Sequence, residues 1–298
     1  MSQKIPKEET QHMSKELDPA SRDQWYVIES SEDLRTNKPR RTRLLGRPIL
    51  GERSTSGTVT IREQSEDGKL LRELPAVERY GYVWTTLGSP EKPLFDMPEF
   101  EEDGRRLVIC GVLTVRTSPG RIVENFLDLS HFPFVHTDIL GAEPMTEVTP
   151  YKAKLDESSG ELWVTDCGFY QPQAMAASSG AAEVDYRYRV PQPYSAVLYK
   201  SSPGKADAFD LIGIFPQPLE ETVCDVHCFM LVYDDVSSHE GMLQWQQGIF
   251  LQDRIILENQ RPARLPLNPR AELPSRADTS AIQYRRWLKN LGVQYGVA

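Results

Sequence analysis

The 298-residue sequence predicts an α+β protein in which antiparallel strands come first and long helices follow. Between residues 25 and 235, short runs rich in β-branched and aromatic residues are separated by turns of Gly, Ser and Pro, a pattern typical of strands. After Asp235 the spacing of apolar residues becomes helical. We therefore expect a sheet of about six or more strands, with one face packed and the other covered.

The N-terminal part divides into a tail and a small β unit. Residues 1–20 are polar and charged without an apolar period, which predicts a mobile tail. The runs WYVIES, TRLLGRPIL, TVTIREQ and residues 80–87 predict strands. Residues 21–100 are therefore predicted to form an all-β subdomain, which residues 94–100 link to a second domain over residues 101–298.

The second domain is predicted to begin with strands and to end with helices. The predicted strands are RLVICGVLTVR, a hairpin in YKAKLDESSGELWVTDCGF, EVDYRYRV, SAVLYKSS, DLIGIFPQ and TVCDVHCFMLVYDD. A long helix is predicted over residues 239–259, capped by Ser237 or Ser238, and a final helix over residues 278–291, capped by Asp278. The run QPQAMAASSGAA, residues 171–182, predicts either a loop at the mouth of a site or a disordered insertion.

Composition and charge exclude some classes of protein. Lys plus Arg number 34 against 43 Asp plus Glu, a net charge of −9, whereas a nucleic-acid binder should present a basic face. No run of about 18 apolar residues occurs, so no transmembrane helix is expected. The N-terminus lacks the apolar core of a signal peptide. These features predict a cytoplasmic enzyme.

The four cysteines are Cys110, Cys167, Cys224 and Cys228, and their scatter through strand-like segments predicts reduced thiols. Cys224, His227 and Cys228 are residue types that bind metals. Successive side chains of a strand point to opposite faces, so the two cysteines would lie on one face and His227 on the other. We expect core cysteines and a hydrogen-bonded or surface histidine there.

The stretch ENFLDLSHFPFVHTDIL, residues 124–140, contains a candidate metal site. His131 and His136 lie five residues apart, and Asp128 stands three residues before the first. Two imidazoles and one carboxylate on one face bind mononuclear iron(II) and leave positions open for oxygen and substrate. On a regular helix, residues so spaced lie about 140° apart around the axis. We expect a kink or helix end at Pro133 to bring the two rings together.

Two carboxylates are candidate partners of the histidines. Asp128 lies one helical turn before His131 and could accept the N–H of its free ring nitrogen. The alternative for the whole stretch is an aromatic-rich helix with two buried histidines. The candidate third ligand is Asp253, in the long helix; its alternative is a solvated carboxylate beside Arg254.

These residues resemble a known family. An Asn followed by Asp-x-x-His-x-x-x-x-His is similar to the iron-site signature of Rieske non-heme iron oxygenases, and ENF-D-SHF-F-H resembles the methylxanthine N-demethylase branch. The run Phe250-Leu251-Gln252-Asp253 is similar to the F-x-x-D stretch that holds the third iron ligand in that branch. The C-terminal SAIQYRRWLKNL also resembles the branch. The resemblance covers residues 25–291, apart from the cluster loops described below.

The resemblance implies a helix-grip (START-like) catalytic domain, in which a curved sheet surrounds a long helix. It implies iron(II) bound by His131, His136 and Asp253. Asp128 would be the carboxylate that bridges an iron ligand to a Rieske cluster on a neighbouring chain, and Asn125 would shape the site.

Substrate contacts are expected on the long helix. Gln246 and Phe250 lie about two turns and one turn before Asp253, and members of the branch use an amide and an apolar or aromatic side chain here to hold the purine. The alternative is a surface Gln and a core Phe. Trp245 and Gln247 are weaker candidates.

The N-terminal β unit resembles a Rieske domain without its cluster. The similar segments are Trp25-Tyr26, Leu44-Leu45-Gly46 and the Tyr-Gly-Tyr-Val-Trp run at residues 80–84. A Rieske 2Fe–2S cluster is held by two Cys and two His. No Cys precedes Cys110, no His lies between His12 and His131, and residues 51–64 are too few for the cluster loops. The chain is therefore predicted to bind no 2Fe–2S cluster.

The function implied is that of an iron(II) monooxygenase subunit that hydroxylates an N-methyl group of a methylxanthine with O2, after which formaldehyde is lost. The resemblance to the cluster-less subunits of the branch points to 7-methylxanthine as substrate and xanthine as product. Electrons would come from a Rieske-containing, NADH-dependent reductase, and a trimer or a hetero-oligomer is expected. The alternatives are another methylated or aromatic ring as substrate, or a non-catalytic partner subunit of an intact oxygenase.

Overall fold

The computed structural model describes residues 16–174 and 180–298, and its N-terminal part contains a short helix and two small antiparallel sheets. The elements are α1 (Pro19–Arg22), β1 (Tyr26–Ser30), β2 (Arg40–Leu44), β3 (Arg47–Arg53), β4 (Val59–Gln64), β5 (Leu70–Leu74), β6 (Ala76–Arg79) and β7 (Tyr82–Thr85). One sheet has the strand order β1–β7–β6 and the other β2–β3–β4–β5. We refer to residues 21–100 as the N-terminal β unit.

A seven-stranded sheet forms the centre of the rest of the chain. Its strands are β8 (Arg106–Val115), β9 (Lys152–Leu155), β10 (Leu162–Gln171), β11 (Ala182–Gln192), β12 (Ser195–Ser201), β13 (Phe209–Glu220) and β14 (Val223–Val232). Their order is β8–β14–β13–β12–β11–β10–β9, with every neighbouring pair antiparallel. This confirms the predicted sheet.

Four helices accompany this sheet: α2 (Pro119–Phe126), α3 (Phe132–Val135), α4 (His239–Leu257) and α5 (Thr279–Leu291). Ser238 caps α4 through a hydrogen bond from the Gly241 amide. Asp278 lies at the N-cap of α5, but its side chain accepts from the Ser275 amide, in a capping box that belongs to the preceding turn. No helix of the described residues is both long and apolar enough to cross a lipid bilayer.

The two faces of the large sheet have different coverings. On one face lies α4, whose Gln247 donates from Nε2 to the Cys110 carbonyl of β8 at 2.9 Å. On the other lies the N-terminal β unit: Tyr82 donates to the Cys228 carbonyl at 2.8 Å, and the rings of Trp84 and Phe215 are centred 4.7 Å apart. The sheet that grips a long helix confirms the helix-grip fold.

The kink or helix end expected at Pro133 is not present in residues 124–140. Helix α2 ends at Phe126, and Pro133 lies in the first turn of α3 instead of interrupting a longer helix. The cause lies between them, where the Asp128 carboxylate accepts the Ser130 amide at 2.9 Å and so forms a turn that competes with the helix. His131 therefore immediately precedes α3.

The predicted tail and the predicted loop at residues 171–182 lie partly outside the described residues. The parts outside are residues 1–15 and 175–179. Leu17 and Ala20, within the predicted tail, pack against the core. Of the predicted loop at residues 171–182, the described ends belong to β10 and β11.

The cysteines and His227 occupy the core. All four cysteines are buried as free thiols. His227 is fully buried, and its Nε2 lies 3.1 Å from Gln217 Oε1. Burial, with a smaller effect from the Arg40 charge, lowers the pKa of His227 to about 3, so the ring is neutral. This agrees with the prediction of core cysteines and a hydrogen-bonded histidine.

Candidate metal centre and its cavity

Three side chains from two separate parts of the chain each bring one ligand atom to a common point. His136 Nε2 lies 3.0 Å from Asp253 Oδ1, and His131 Nε2 lies 3.3 Å from the same oxygen. The two Nε2 atoms are 3.2 Å apart. All three side chains are largely buried, with 13%, 1% and 11% of the side chain exposed for His131, His136 and Asp253.

The spacing of the two histidines is accommodated by the short helix between them. His131 precedes α3 and His136 follows it, and the His136 amide donates to the Phe132 carbonyl at 3.1 Å. Because α3 is one turn long, the residues at its two ends can turn toward the same point, which a continuous helix would forbid.

Asp128 orients His131. Its Oδ2 lies 3.0 Å from His131 Nδ1, while its other oxygen accepts from the Ser130 amide at 2.9 Å and the Ser130 hydroxyl at 2.7 Å. Burial opposes ionisation of this carboxyl, but the hydrogen bonds from His131 and Ser130 outweigh it and lower its pKa. The contact predicted from spacing is present, through a turn and not along a helix face. In the neutral ring this contact places the proton on Nδ1 and leaves Nε2 free for a metal.

His136 and Asp253 have partners of their own. Gln252 Oε1 lies 2.8 Å from His136 Nδ1, and Asn125 donates from Nδ2 to Asp253 Oδ1 at 2.9 Å. Asn125 thus orients the carboxylate. Sequence reasoning missed the role of Gln252, although its position directly before Asp253 was the available signal.

The centre favours positive charge. Burial disfavours a charged His131, yet hydrogen bonds to Asp128 and Asp253 raise its pKa to about 9. Burial likewise opposes ionisation of Asp253, but its bonds to the two histidines hold its pKa far below the usual range. Two imidazoles and one carboxylate, with ligand atoms all within 4.8 Å of one another, are a donor set that fits mononuclear iron(II).

A cavity of about 110 Å³ adjoins this centre. Gln246 and Phe250, the predicted substrate contacts, both line it and are 9% and 7% exposed. Trp245 lines it too, whereas the side chain of Gln247 turns to the Cys110 carbonyl. Most of the other lining residues are apolar or aromatic: Phe126, Tyr186, Tyr188, Leu198, Ile212, Ile214, Met230, Val232, Met242 and Ile249.

A second set of charged residues lines the cavity away from the metal centre. It comprises Lys200, Asp210 and Asp234, all buried. Sequence reasoning did not single out these residues. The signal for Lys200 was its place in the strand run SAVLYKSS, where it shares a face with Ala196 and Leu198.

Comparison with known proteins identifies the family. The sequence model of the vanillate O-demethylase oxygenase C-terminal domain matches residues 115–294, more than half of the chain. The chain belongs to this family of Rieske-type oxygenases. The family was predicted from the iron-site signature, and that prediction is confirmed.

Three related sequences are named as methylxanthine demethylases. A probable methylxanthine N7-demethylase NdmC from Pseudomonas sp. (strain TJI-51) is 40% identical over 274 residues, which are 92% of this chain and 95% of that protein. The methylxanthine N1-demethylase NdmA of Pseudomonas putida is 27% identical over 72% of this chain and 59% of its own length.

Solved structures of Rieske-type oxygenases share the fold. NdmA of Pseudomonas putida CBB5 with caffeine has a TM-score of 0.72 at 18% identity, covering 90% of each chain. Dicamba monooxygenase bound to dicamba also has a TM-score of 0.72, at 17% identity, covering 91% of this chain and 97% of that one. Because the sequence identities are low, these structural similarities establish the fold alone.

Proposed function

We propose that this chain is an iron(II)-dependent monooxygenase subunit that removes the N7-methyl group of 7-methylxanthine to give xanthine and formaldehyde. The observation that carries the proposal is the convergence of His131, His136 and Asp253 beside a largely apolar cavity. The 40% identity to a probable methylxanthine N7-demethylase supports the choice of substrate.

His131, His136 and Asp253 would hold the iron, which supplies activation of O2 when bound. Asp128 and Gln252 hold the two imidazoles with Nε2 free, and Asn125 holds the carboxylate. The apolar walls exclude water and fix the ring, while Gln246 donates to or accepts from its polar edge and Phe250 packs on its face. One oxygen atom leaves in formaldehyde and the other in water.

The reaction also consumes two electrons and two protons, for which the proposal needs a partner. We assign the electrons to a separate Rieske-containing, NADH-dependent reductase, because the sequence has no Cys before residue 110. Asp128, whose side chain is 26% exposed, connects His131 to the surface and is the bridging carboxylate of the proposal. A trimeric or hetero-oligomeric assembly would place the partner's cluster near it.

The test measures metal content and turnover in one preparation. The purified chain is loaded anaerobically with iron(II), and iron per chain is counted. Turnover of 7-methylxanthine is then followed as formaldehyde with O2, NADH and a Rieske-bearing reductase, with the reductase omitted as a control. About one iron per chain and reductase-dependent formaldehyde are expected.

Two results would contradict the proposal in different ways. Iron binding without turnover of any methylxanthine would leave an oxygenase with another methylated or aromatic ring as substrate. Failure to bind iron would indicate a non-catalytic partner subunit. The Asp253→Ala variant is the matched control, since it removes the carboxylate ligand and should bind no iron.

A further inference from the structure

The cavity contains a buried lysine that the proposed chemistry at the metal does not use. Lys200 on β12 is 7% exposed and lines the cavity among apolar side chains. In the register of the sheet it lies between Tyr186 of β11 and Asp210 of β13. An ammonium group placed in apolar surroundings is costly unless its donors find acceptors.

Lys200 pairs across the sheet with Asp210, which contacts the segment before α4, whereas Asp253 lies near the other end of that helix. Asp210 accepts from the Tyr233 amide at 2.9 Å, and the chain from Tyr233 leads through Asp234 directly to the start of α4 at His239. Asp253 lies near the other end of the same helix, about 16 Å from Met242 along its axis. A ring in the cavity would therefore have the metal on one side and Lys200 on the other.

Among the described residues, Lys200 has one hydrogen-bond acceptor for its three N–H donors. That acceptor is the Ala174 carbonyl, to which Nζ donates. Burial lowers its pKa to about 8, an effect that the Asp210 charge partly opposes. The group is thus a hydrogen-bond donor at neutral pH, in a place where water is largely replaced by hydrocarbon.

Building on the proposed function, we propose that Lys200 is a specificity-determining residue that donates a hydrogen bond to the ring carbonyl farthest from the reacting methyl group. The substrate class is then an N-methylated oxo-purine with a carbonyl on the far side of its six-membered ring. In 7-methylxanthine that oxygen is the one on C2, because C6 is bonded to C5, the neighbour of N7, whereas C2 lies on the opposite side of the six-membered ring. A site built to donate to this oxygen discriminates against a ring that lacks it.

A pair of ligands that differ in the C2 carbonyl, and with it in the proton on N3, tests this contact when it is combined with a variant of Lys200. 7-Methylxanthine has carbonyls at C2 and C6, whereas 7-methylhypoxanthine retains only the carbonyl at C6. Binding to the iron(II)-loaded chain is measured by anaerobic isothermal titration calorimetry, for wild type and Lys200→Met. Lys154→Met, on an exposed position of β9, is the control.

We expect wild type to bind 7-methylxanthine about tenfold more tightly than 7-methylhypoxanthine. Lys200→Met should lose that preference by binding 7-methylxanthine about tenfold more weakly, with its affinity for 7-methylhypoxanthine unchanged. Lys154→Met should behave as wild type. If Lys200→Met does not fold, the wild-type preference and the Lys200→Gln variant, which retains a shorter donor, still test the contact.

Other outcomes overturn the inference. Equal weakening of both ligands would show that Lys200 only supports the backbone at Ala174. No preference in wild type, or an unchanged preference in Lys200→Met, would show that the lysine does not contact the C2 oxygen. If the wild-type chain binds neither purine, the proposed function is refuted, and the inference about Lys200 is refuted as well.

Discussion

At the scale of single residues, the metal centre depends on side chains that do not reach the metal. Asp128, Gln252 and Asn125 each hold one of the three ligands by a hydrogen bond of 2.8 to 3.0 Å. Such partners fix the tautomer and the direction of a ligand's lone pair before a metal arrives. The ligands alone would not be oriented, since a free imidazole can rotate about its side-chain bonds.

Gln252→Leu should weaken iron(II) binding by about 10- to 100-fold, because His136 loses the acceptor for its Nδ1–H. The control is Gln244→Leu, an exposed position on the same helix, which should bind iron as wild type does. Competition with a chelator of known affinity measures both. Equal affinity of Gln252→Leu and wild type would mean that the His136 contact does not orient the ring.

Gln246→Leu should weaken substrate binding while retaining iron. Its amide lines the cavity and is buried, so its loss removes a hydrogen bond to the purine that is worth about 1 kcal/mol, or about fivefold in Kd. Calorimetric titration of 7-methylxanthine into the iron-loaded variants checks this, again beside Gln244→Leu. Unchanged affinity for 7-methylxanthine would show that Gln246 makes no hydrogen bond to the purine.

Spacing suggested the two histidines and the family resemblance suggested Asp253, and the structure brings these three side chains together. Their supporting residues were only partly predictable. Asp128 stood near His131 in sequence and was found from that spacing. Gln252 contacts His136 although the two residues are far apart in the sequence. Lys200 lies on β12, which is also far from both in the sequence. Contacts between distant segments depend on the tertiary structure, which local sequence patterns do not predict.

At the scale of elements, the main error concerned the helix around the histidines. The apolar spacing of residues 124–140 is compatible with one helix, yet a side chain competes for the backbone there: Asp128 accepts the Ser130 amide. The strands and α4 were predicted more closely, because a period of two or of 3.6 over many residues is a stronger signal than a short turn.

Two glycines should respond oppositely to alanine. A Cβ on Gly213 would lie 2.0 Å from Cε1 of Phe229, its neighbour across the strands, so Gly213→Ala should destabilise the fold by about 1 to 3 kcal/mol. A Cβ on Gly248 of α4 meets nothing within 4 Å. Gly248→Ala should therefore stabilise the fold by about 1 kcal/mol. Urea unfolding measures both, and changes of the same sign would contradict this packing.

At the scale of the whole molecule, an ionic network joins α2, which leads to the histidines, to α5. Arg285 contacts Glu124 at 2.5 Å and Glu272 at 2.5 Å, and Arg121 also contacts Glu272. The Arg121 and Glu124 side chains are only 3% and 11% exposed. Removal of one partner from such a network leaves a buried charge uncompensated.

Arg285→Met should lower the free energy of unfolding by about 3 kcal/mol at pH 7, with exposed Arg286→Met as the control. Burial opposes ionisation of Glu272, but hydrogen bonds from Arg121 and Arg285 lower its pKa below 4.5. A depressed carboxyl pKa stabilises the fold above about pH 4.5, and that contribution is lost as the pH falls further.

The difference between wild type and Arg285→Met should therefore shrink as the pH is lowered toward about 4. Urea unfolding at a series of pH values measures it. A difference that stays constant over this range would show that the Arg285 contribution is packing alone.

The N-terminal β unit packs on the large sheet, although the match to the family model does not include it. The family match begins at residue 115 and so omits nearly all of β8, which pairs with β14. It also omits Tyr82 and Trp84, which cover Phe215. A fragment cut to residues 115–294 would expose an open strand edge and an aromatic surface to water, both of which promote aggregation. We therefore expect residues 115–294 to need these strands in order to remain folded.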